Sequence, residues 1–66
     1  MQIVVNGEAQ TISPECTVFQ FLQGQAVTLK AAVVEHNGKI LKQEQWQRTR
    51  LQVDDRLEIL IFMGGG

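Results

Sequence analysis

The sequence predicts a small α+β domain in which one helix covers one face of a β-sheet. Two Asn-Gly pairs, Asn6-Gly7 and Asn37-Gly38, each separate two short runs of strand-forming residues, the pattern of type I′ hairpins. Between the hairpins, Thr17 and Gln20 have the spacing of a capping box at the start of a helix. The last predicted strand is apolar and covers residues 57–63. The expected order is therefore strand, strand, helix, strand, strand, strand.

The first hairpin is predicted to join residues 3–5 to residues 8–12. Because side chains alternate between the two faces of a strand, Ile3 and Val5 are expected to face the core and Val4 to face outward.

The helix is predicted to present Val18, Phe21 and Leu22 on one face, since their spacing is three and four residues. Gly24 is the expected stop. A strand over residues 31–36 and a return strand over residues 39–42 form the second hairpin.

Residues 43–48 are expected to form a helical turn, with Trp46 as a partly buried cap on the core. Asp54-Asp55 is predicted to be a solvated turn.

Length and composition exclude several classes of function. The chain has 66 residues, so we expect one domain over residues 1–63 with little room for a deep catalytic pocket. Six basic residues, seven acidic residues and no basic cluster argue against binding to nucleic acid.

The same sequence gives no sign of export or membrane insertion. Cys16 is the single cysteine, so no intramolecular disulfide forms. We find no signal-peptide pattern and no apolar run of membrane-spanning length. A cytoplasmic location is the expectation.

The last strand has an unusual outer face. If Glu58 faces outward, as an unpaired carboxylate should, Leu60 and Phe62 face outward with it. With the first strand as neighbour, Val4, Leu60 and Phe62 would form an apolar docking patch for a protein partner. The alternative is a central strand whose outer side chains lie under a loop.

The chain ends in Gly64-Gly65-Gly66, directly after the apolar strand. Glycine has no Cβ and loses the most entropy on ordering, so residues 64–66 are expected to be a flexible tail. Such a tail can pass through a narrow channel and bring the carboxylate of Gly66 into an enzyme's active site. A frayed terminus is the alternative for a glycine triplet taken alone.

Together these features resemble the ThiS-type sulfur carriers of thiamine biosynthesis, which belong to the ubiquitin-like, β-grasp class. The resemblance runs almost from end to end. The residues that carry it include Met1-Gln2-Ile3, Asn6-Gly7, Thr17-Val18, Leu22, Val34-Glu35-His36-Asn37-Gly38, Trp46, Asp55-Arg56-Leu57-Glu58-Ile59 and the three terminal glycines. Two positions depart from the family pattern: His36 stands where arginine is common, and Asp54-Asp55 where Gly-Asp is common.

The resemblance implies a mixed sheet of four or five strands, with the first and last strands parallel at its centre and one helix on one face. It also implies a carrier rather than an enzyme. A partner would use ATP and magnesium to adenylate the Gly66 carboxylate, and a sulfur-donor system would convert it to a thiocarboxylate. Thiazole synthase would then accept the sulfur. Gly64 and Gly65 would let the tail enter these active sites, and no cofactor would be bound permanently.

Other functions are left open by the sequence. A ubiquitin-like protein modifier needs the same glycine carboxylate, and so does a carrier like the small subunit of molybdopterin synthase. A binding module with an inert tail is a third possibility. Cys16 is interpreted as a packing residue, and His36, without a second histidine, as neither a metal ligand nor a general base.

Overall fold

The computed structural model describes residues 1–25 and 29–62. Residues 63–66, which include the three tail glycines and the last residue of the predicted final strand, lie outside the described residues. The order of strands and helix matches the prediction. The elements are β1 (Gln2–Val5), β2 (Glu8–Thr11), α1 (Val18–Gln23), β3 (Ala32–His36), β4 (Lys39–Leu41) and β5 (Arg56–Ile61), with 3-10 turns at Leu29–Ala31 and Gln43–Gln45.

The strands form one mixed sheet in the order β2-β1-β5-β3-β4. β1 and β5 are parallel and the other neighbours are antiparallel. The expected central pairing of the first and last strands is therefore confirmed, and so is the ββαβββ order with one helix on one face.

Both hairpin predictions are confirmed by the backbone. Asn6 and Gly7 have φ of 49° and 83°, and Asn37 and Gly38 have φ of 52° and 86°. A two-residue hairpin loop of this type needs positive φ at both positions, which asparagine and glycine tolerate better than other residues.

The start of α1 has the predicted capping box. The Thr17 hydroxyl accepts from the Gln20 N–H at 3.1 Å, and the Gln20 side chain accepts from the Thr17 N–H at 3.0 Å. Two further N–H groups of this first turn, those of Val18 and Phe19, donate to backbone carbonyls of the segment before β5. The backbone N–H groups at the N-terminus of α1 therefore all have hydrogen-bond partners within the protein.

The core lies between α1 and the sheet. Its fully buried side chains come from both layers, and they are Ile3, Val18, Leu22, Val34 and Leu57. Trp46 is 3% exposed and its indole N–H donates to the Leu41 carbonyl at 3.0 Å. It is therefore a core residue with a satisfied polar group, more deeply buried than the cap that the sequence predicted. In the described residues, no helix is long and apolar enough to span a membrane.

Candidate functional site

The last strand carries the predicted site, because it leads directly to the glycine tail. β5 lies in the middle of the sheet, with β1 on one side and β3 on the other. Its last described backbone hydrogen bond joins the Phe62 N–H to the Ala31 carbonyl at 2.9 Å. Gly64, Gly65 and Gly66 lie outside the described residues. Four residues span at most about 14 Å, so Gly66 can act only within that distance of Phe62.

The two faces of β5 differ as the alternation predicted. Leu57 is buried, and Ile59 and Ile61 are partly buried against the core. On the other face, Glu58 is exposed, Leu60 is 54% exposed and Phe62 is 65% exposed. The described residues place no loop over this face at Leu60 and Phe62, so the alternative of side chains covered by a loop does not apply there.

The sheet register shows which residues surround Leu60. Its direct partner across the β3–β5 ladder is Val33, and in the next row Glu58 faces Glu35, which in turn faces Ile40 on β4. Ile40 is 68% exposed. Val33 and Ile40 therefore extend the apolar surface toward β4. We call Val33, Ile40, Leu60 and Phe62 the open-face patch.

Val4 lies on the same face but apart from Leu60. It is half-buried and pairs with Arg56, so Arg56 and Glu58 stand between it and Leu60 along the strand. Four residues of strand separate their rows by roughly 13 Å. Sequence reasoning placed these residues on one face but missed Val33 and Ile40, because the partners of β5 follow from the sheet order and not from local sequence.

A polar cluster fixes the other end of β5. The Asp55 carboxylate accepts hydrogen bonds from His36 Nε2 at 2.9 Å, from Asn37 Nδ2 at 3.0 Å and from the Gln52 N–H at 2.8 Å. Burial raises the pKa of Asp55, but these hydrogen bonds outweigh it and hold the pKa below the usual value.

This cluster corrects the prediction of a solvated turn. Asp54 is exposed, whereas Asp55 is partly buried and joins the β3–β4 turn to the start of β5. His36 also contributes to this cluster, since its Nε2 lies 2.9 Å from Asp55 Oδ2 in a hydrogen bond.

The structure also shows the surroundings of Cys16 and the distribution of side chains that could bind a metal. The Cys16 thiol is partly buried and lies 3.4 Å from the Thr17 carbonyl, in hydrogen-bonding range. Across residues 1–25 and 29–62, no group of three or more His, Cys, Asp or Glu side chains could hold a metal ion.

Comparison with known proteins gives the family. Residues 3–66 match the model of the ThiS family. This chain belongs to the ThiS family. The resemblance inferred from the sequence is confirmed, because the match extends from β1 through the terminal glycines.

Solved structures agree with this assignment. The chain is similar to the crystal structure of the thiamine biosynthesis protein ThiS from Geobacter metallireducens, with 33% identity, all of both chains covered and a TM-score of 0.80. It is also similar to an NMR solution structure of a thiamine biosynthesis protein from the same organism. There the identity is 33%, the coverage is 100% of this chain and 88% of that one, and the TM-score is 0.82. The β-grasp fold class is thereby confirmed.

A relative of a different length also matches. The whole chain is 33% identical to part of a protein named thiazole synthase from Paramagnetospirillum magneticum (strain ATCC 700264 / AMB-1). This ThiS-family chain spans 20% of that protein's length.

Proposed function

We propose that this ThiS-family chain is a sulfur carrier for the thiazole-forming branch of thiamine biosynthesis, and that Gly66 carries the sulfur as a thiocarboxylate. The family match over residues 3–66, which includes the glycine tail, is the observation that carries the proposal. The long relative named thiazole synthase supports thiazole synthase as the sulfur acceptor, since a segment similar to this whole chain occurs inside it.

The proposed reaction begins at the Gly66 carboxylate. One carboxylate oxygen attacks the α-phosphorus of ATP, with magnesium on the phosphates, and pyrophosphate leaves. The terminal sulfur of a persulfide on the donor then attacks the acyl carbon, and AMP leaves. The product is an acyl disulfide between Gly66 and the donor. A second thiolate of the donor system attacks the donor's cysteine sulfur in this acyl disulfide, the S–S bond breaks, a disulfide forms on the donor, and the thiocarboxylate leaves with the transferred sulfur.

This chain supplies the acyl group and its delivery, and its partners supply the catalysis. After Glu58 the sequence has no ionisable side chain before the terminus, since residues 59–66 are apolar or glycine. No general acid or base of this chain accompanies the tail. Activation of the carboxylate therefore falls to the adenylating enzyme.

The open-face patch is the proposed docking surface for the adenylating enzyme. It exposes Leu60 and Phe62 at the root of the tail, where a bound partner would lie within the tail's reach. Interfaces of this kind are centred on apolar side chains with polar groups around them, and Glu35, Glu58 and Arg56 flank the patch. Val4, which lies beyond Arg56, belongs to the edge of this surface.

Intact-protein mass spectrometry tests the chemistry. The carrier is incubated with ATP, magnesium, a sulfur donor and its adenylating enzyme, and the expected product has one oxygen of Gly66 replaced by sulfur. Conjugates with lysine side chains would instead favour the protein-modifier function. An unchanged mass with an enzyme that releases pyrophosphate on another carrier would refute both functions.

A further inference from the structure

Near the tail, no strand formed by residues 1–25 or 29–62 lies beside one edge of β5. The bond from the Phe62 N–H to the Ala31 carbonyl sets which β5 residues bond to β3. By the alternation of an antiparallel ladder, the backbone groups of Leu60 and Phe62 point toward β3. Those of Leu57, Ile59 and Ile61 point to the opposite edge, where β1 lies.

β1 covers that edge only as far as Asn6. The Asn6 N–H donates to the Leu57 carbonyl at 2.9 Å. The Asn6 side chain then continues the pattern, because Oδ1 accepts from the Ile59 N–H at 2.8 Å and Nδ2 donates to the Ile59 carbonyl at 3.4 Å. With φ of 49°, Asn6 turns the backbone away into the hairpin. Its amide thus replaces one residue of a neighbouring strand, and the pairing ends there.

Ile61 lies one step beyond this replacement. Within residues 1–25 and 29–62, its N–H and C=O have no hydrogen-bond partner on the β1 side. Ile61 lies opposite Ala32 in the ladder, and the bonds of its neighbours Leu60 and Phe62 to β3 keep it in strand conformation. A strand edge in this state is a template for another strand.

A groove lies beside the same edge. Its volume is about 340 Å³, and both apolar and polar residues line it. The apolar residues are Val5, Ile59 and Ile61, and the polar ones include Glu8, Gln10 and Gln25. An extended peptide that pairs with Ile61 places every second side chain on this face of the sheet. The groove can take such a side chain.

We propose that the β1-side edge of β5 at Ile61 receives an extended segment of the adenylating enzyme, which pairs with β5 as an added strand. The inference rests on the proposed function and concerns how the tail is delivered. Ordering glycines is entropically costly, and main-chain hydrogen bonds from an added strand offset that cost. The added strand extends the sheet along β5 and directs residues 63–66 into the enzyme.

Amide hydrogen exchange of the isotopically labelled carrier, followed by NMR, tests this directly. In the unbound carrier the Ile61 amide is expected to exchange fast, between the slower amides of Leu60 and Phe62. With saturating adenylating enzyme, exchange of the Ile61 amide is expected to slow by at least about tenfold. The outward-pointing amides of Ala9 and Thr11 on the other sheet edge serve as the matched control and should stay fast.

Each other outcome overturns the inference. A slow Ile61 amide in the unbound carrier would show that this chain covers its own edge. A fast Ile61 amide in the complex, or new protection at Ala9 and Thr11, would place the enzyme elsewhere.

A backbone substitution gives a second test that also separates this inference from the proposed function. Replacing the Ile61 N–H by an ester oxygen removes the donor and keeps the side chain, and it should weaken binding to the adenylating enzyme roughly fivefold. The same exchange at Phe62 removes the bond to Ala31 and should lower the melting temperature of the unbound carrier more.

If the unmodified carrier gains sulfur and the Ile61 ester binds equally well, the added strand is refuted and the carrier function stands. If the unmodified carrier gains no sulfur, the carrier function fails and the inference fails with it.

Discussion

The two ends of β5 are built differently. At its start, the strand has partners on both sides: the Val4 N–H donates to the Asp55 carbonyl, the Asn37 N–H donates to the Arg56 carbonyl, and the Asp55 carboxylate joins the next turn. At its end, described bonds come from the β3 side alone, and Leu60 and Phe62 expose most of their apolar surface. The start therefore holds the fold together, whereas at the end the described residues leave main-chain and apolar groups exposed.

Removal of Gly65 and Gly66 should have the largest effect, because it should abolish thiocarboxylate formation and leave stability unchanged. The truncated carrier should give no thiocarboxylate in the mass assay, because the shortened tail no longer brings its carboxylate to the same place. Its melting temperature should match that of the full chain, since the core residues in the described part of the chain all precede Phe62. If the truncated chain still supported thiazole formation, the tail would be inert and the binding-module function would be favoured.

Paired alanine substitutions at Leu57 and Leu60 compare the ends directly. Leu57 is 1% exposed, so Leu57→Ala should cost about 2–5 kcal/mol of unfolding free energy. Leu60→Ala should cost less than about 0.5 kcal/mol because the side chain is half exposed. Urea unfolding measures both values.

Leu60→Ala, compared with Ile40→Ala, also tests the open-face patch. Leu60→Ala should weaken binding to the adenylating enzyme by about tenfold, as expected for a central apolar contact. Ile40→Ala is the matched control at the far side of the patch and should weaken it less. Equal binding by the Leu60 variant and the unmodified carrier would remove the patch from the docking surface.

The Asp55 cluster makes the start of β5 sensitive to acid. Since the pKa of Asp55 is lowered in the folded state, its stabilisation is complete above the unfolded pKa of about 3.9 and disappears as the pH falls through the folded value. At pH 7, Asp55→Asn should cost about 1–2 kcal/mol.

The difference between Asp55→Asn and the unmodified chain should therefore shrink below about pH 4. Thermal unfolding between pH 3 and pH 7 measures it, and Asp54→Asn, at an exposed carboxylate, is the control. A difference that stayed constant over this range would mean that the Asp55 charge does not contribute.

Sequence reasoning succeeded where the cause is local. The turn at Asn6-Gly7 and the cap at Thr17 and Gln20 depend on residues within a few positions of one another, and both are present in the structure. The open face of Leu60 and Phe62 followed from alternation along one strand.

It failed where the partners are distant in sequence. Asp55 forms hydrogen bonds with His36 and Asn37, which are 19 and 18 residues away in sequence. Because these partners are distant, the local sequence showed only two adjacent aspartates, a pattern typical of a solvated turn. The separation of Val4 from Leu60 depends on the register of β1 against β5, and two strands 50 residues apart carry no local signal for it. The edge at Ile61, to which no described residue pairs on the β1 side, has the same origin.

The smallest expected effect concerns Asp54, next to the cluster. Asp54 has φ of 66°, a left-handed conformation that costs most residues about 1–2 kcal/mol and aspartate somewhat less. Its N–H donates to the Gln2 carbonyl at 2.8 Å, and glycine would keep that bond. Asp54→Gly should therefore raise the unfolding free energy by about 0.5 kcal/mol, after subtraction of glycine's larger entropy in the unfolded chain.

Asp54→Ala is the matched variant, because alanine has the Cβ without aspartate's tolerance for positive φ. It should be less stable than the unmodified chain, so the expected order in urea unfolding is Gly, then Asp, then Ala. If alanine proved at least as stable as glycine, backbone strain at this position would not limit stability. The free-energy difference between aspartate and glycine at this position would then come from the unfolded chain alone.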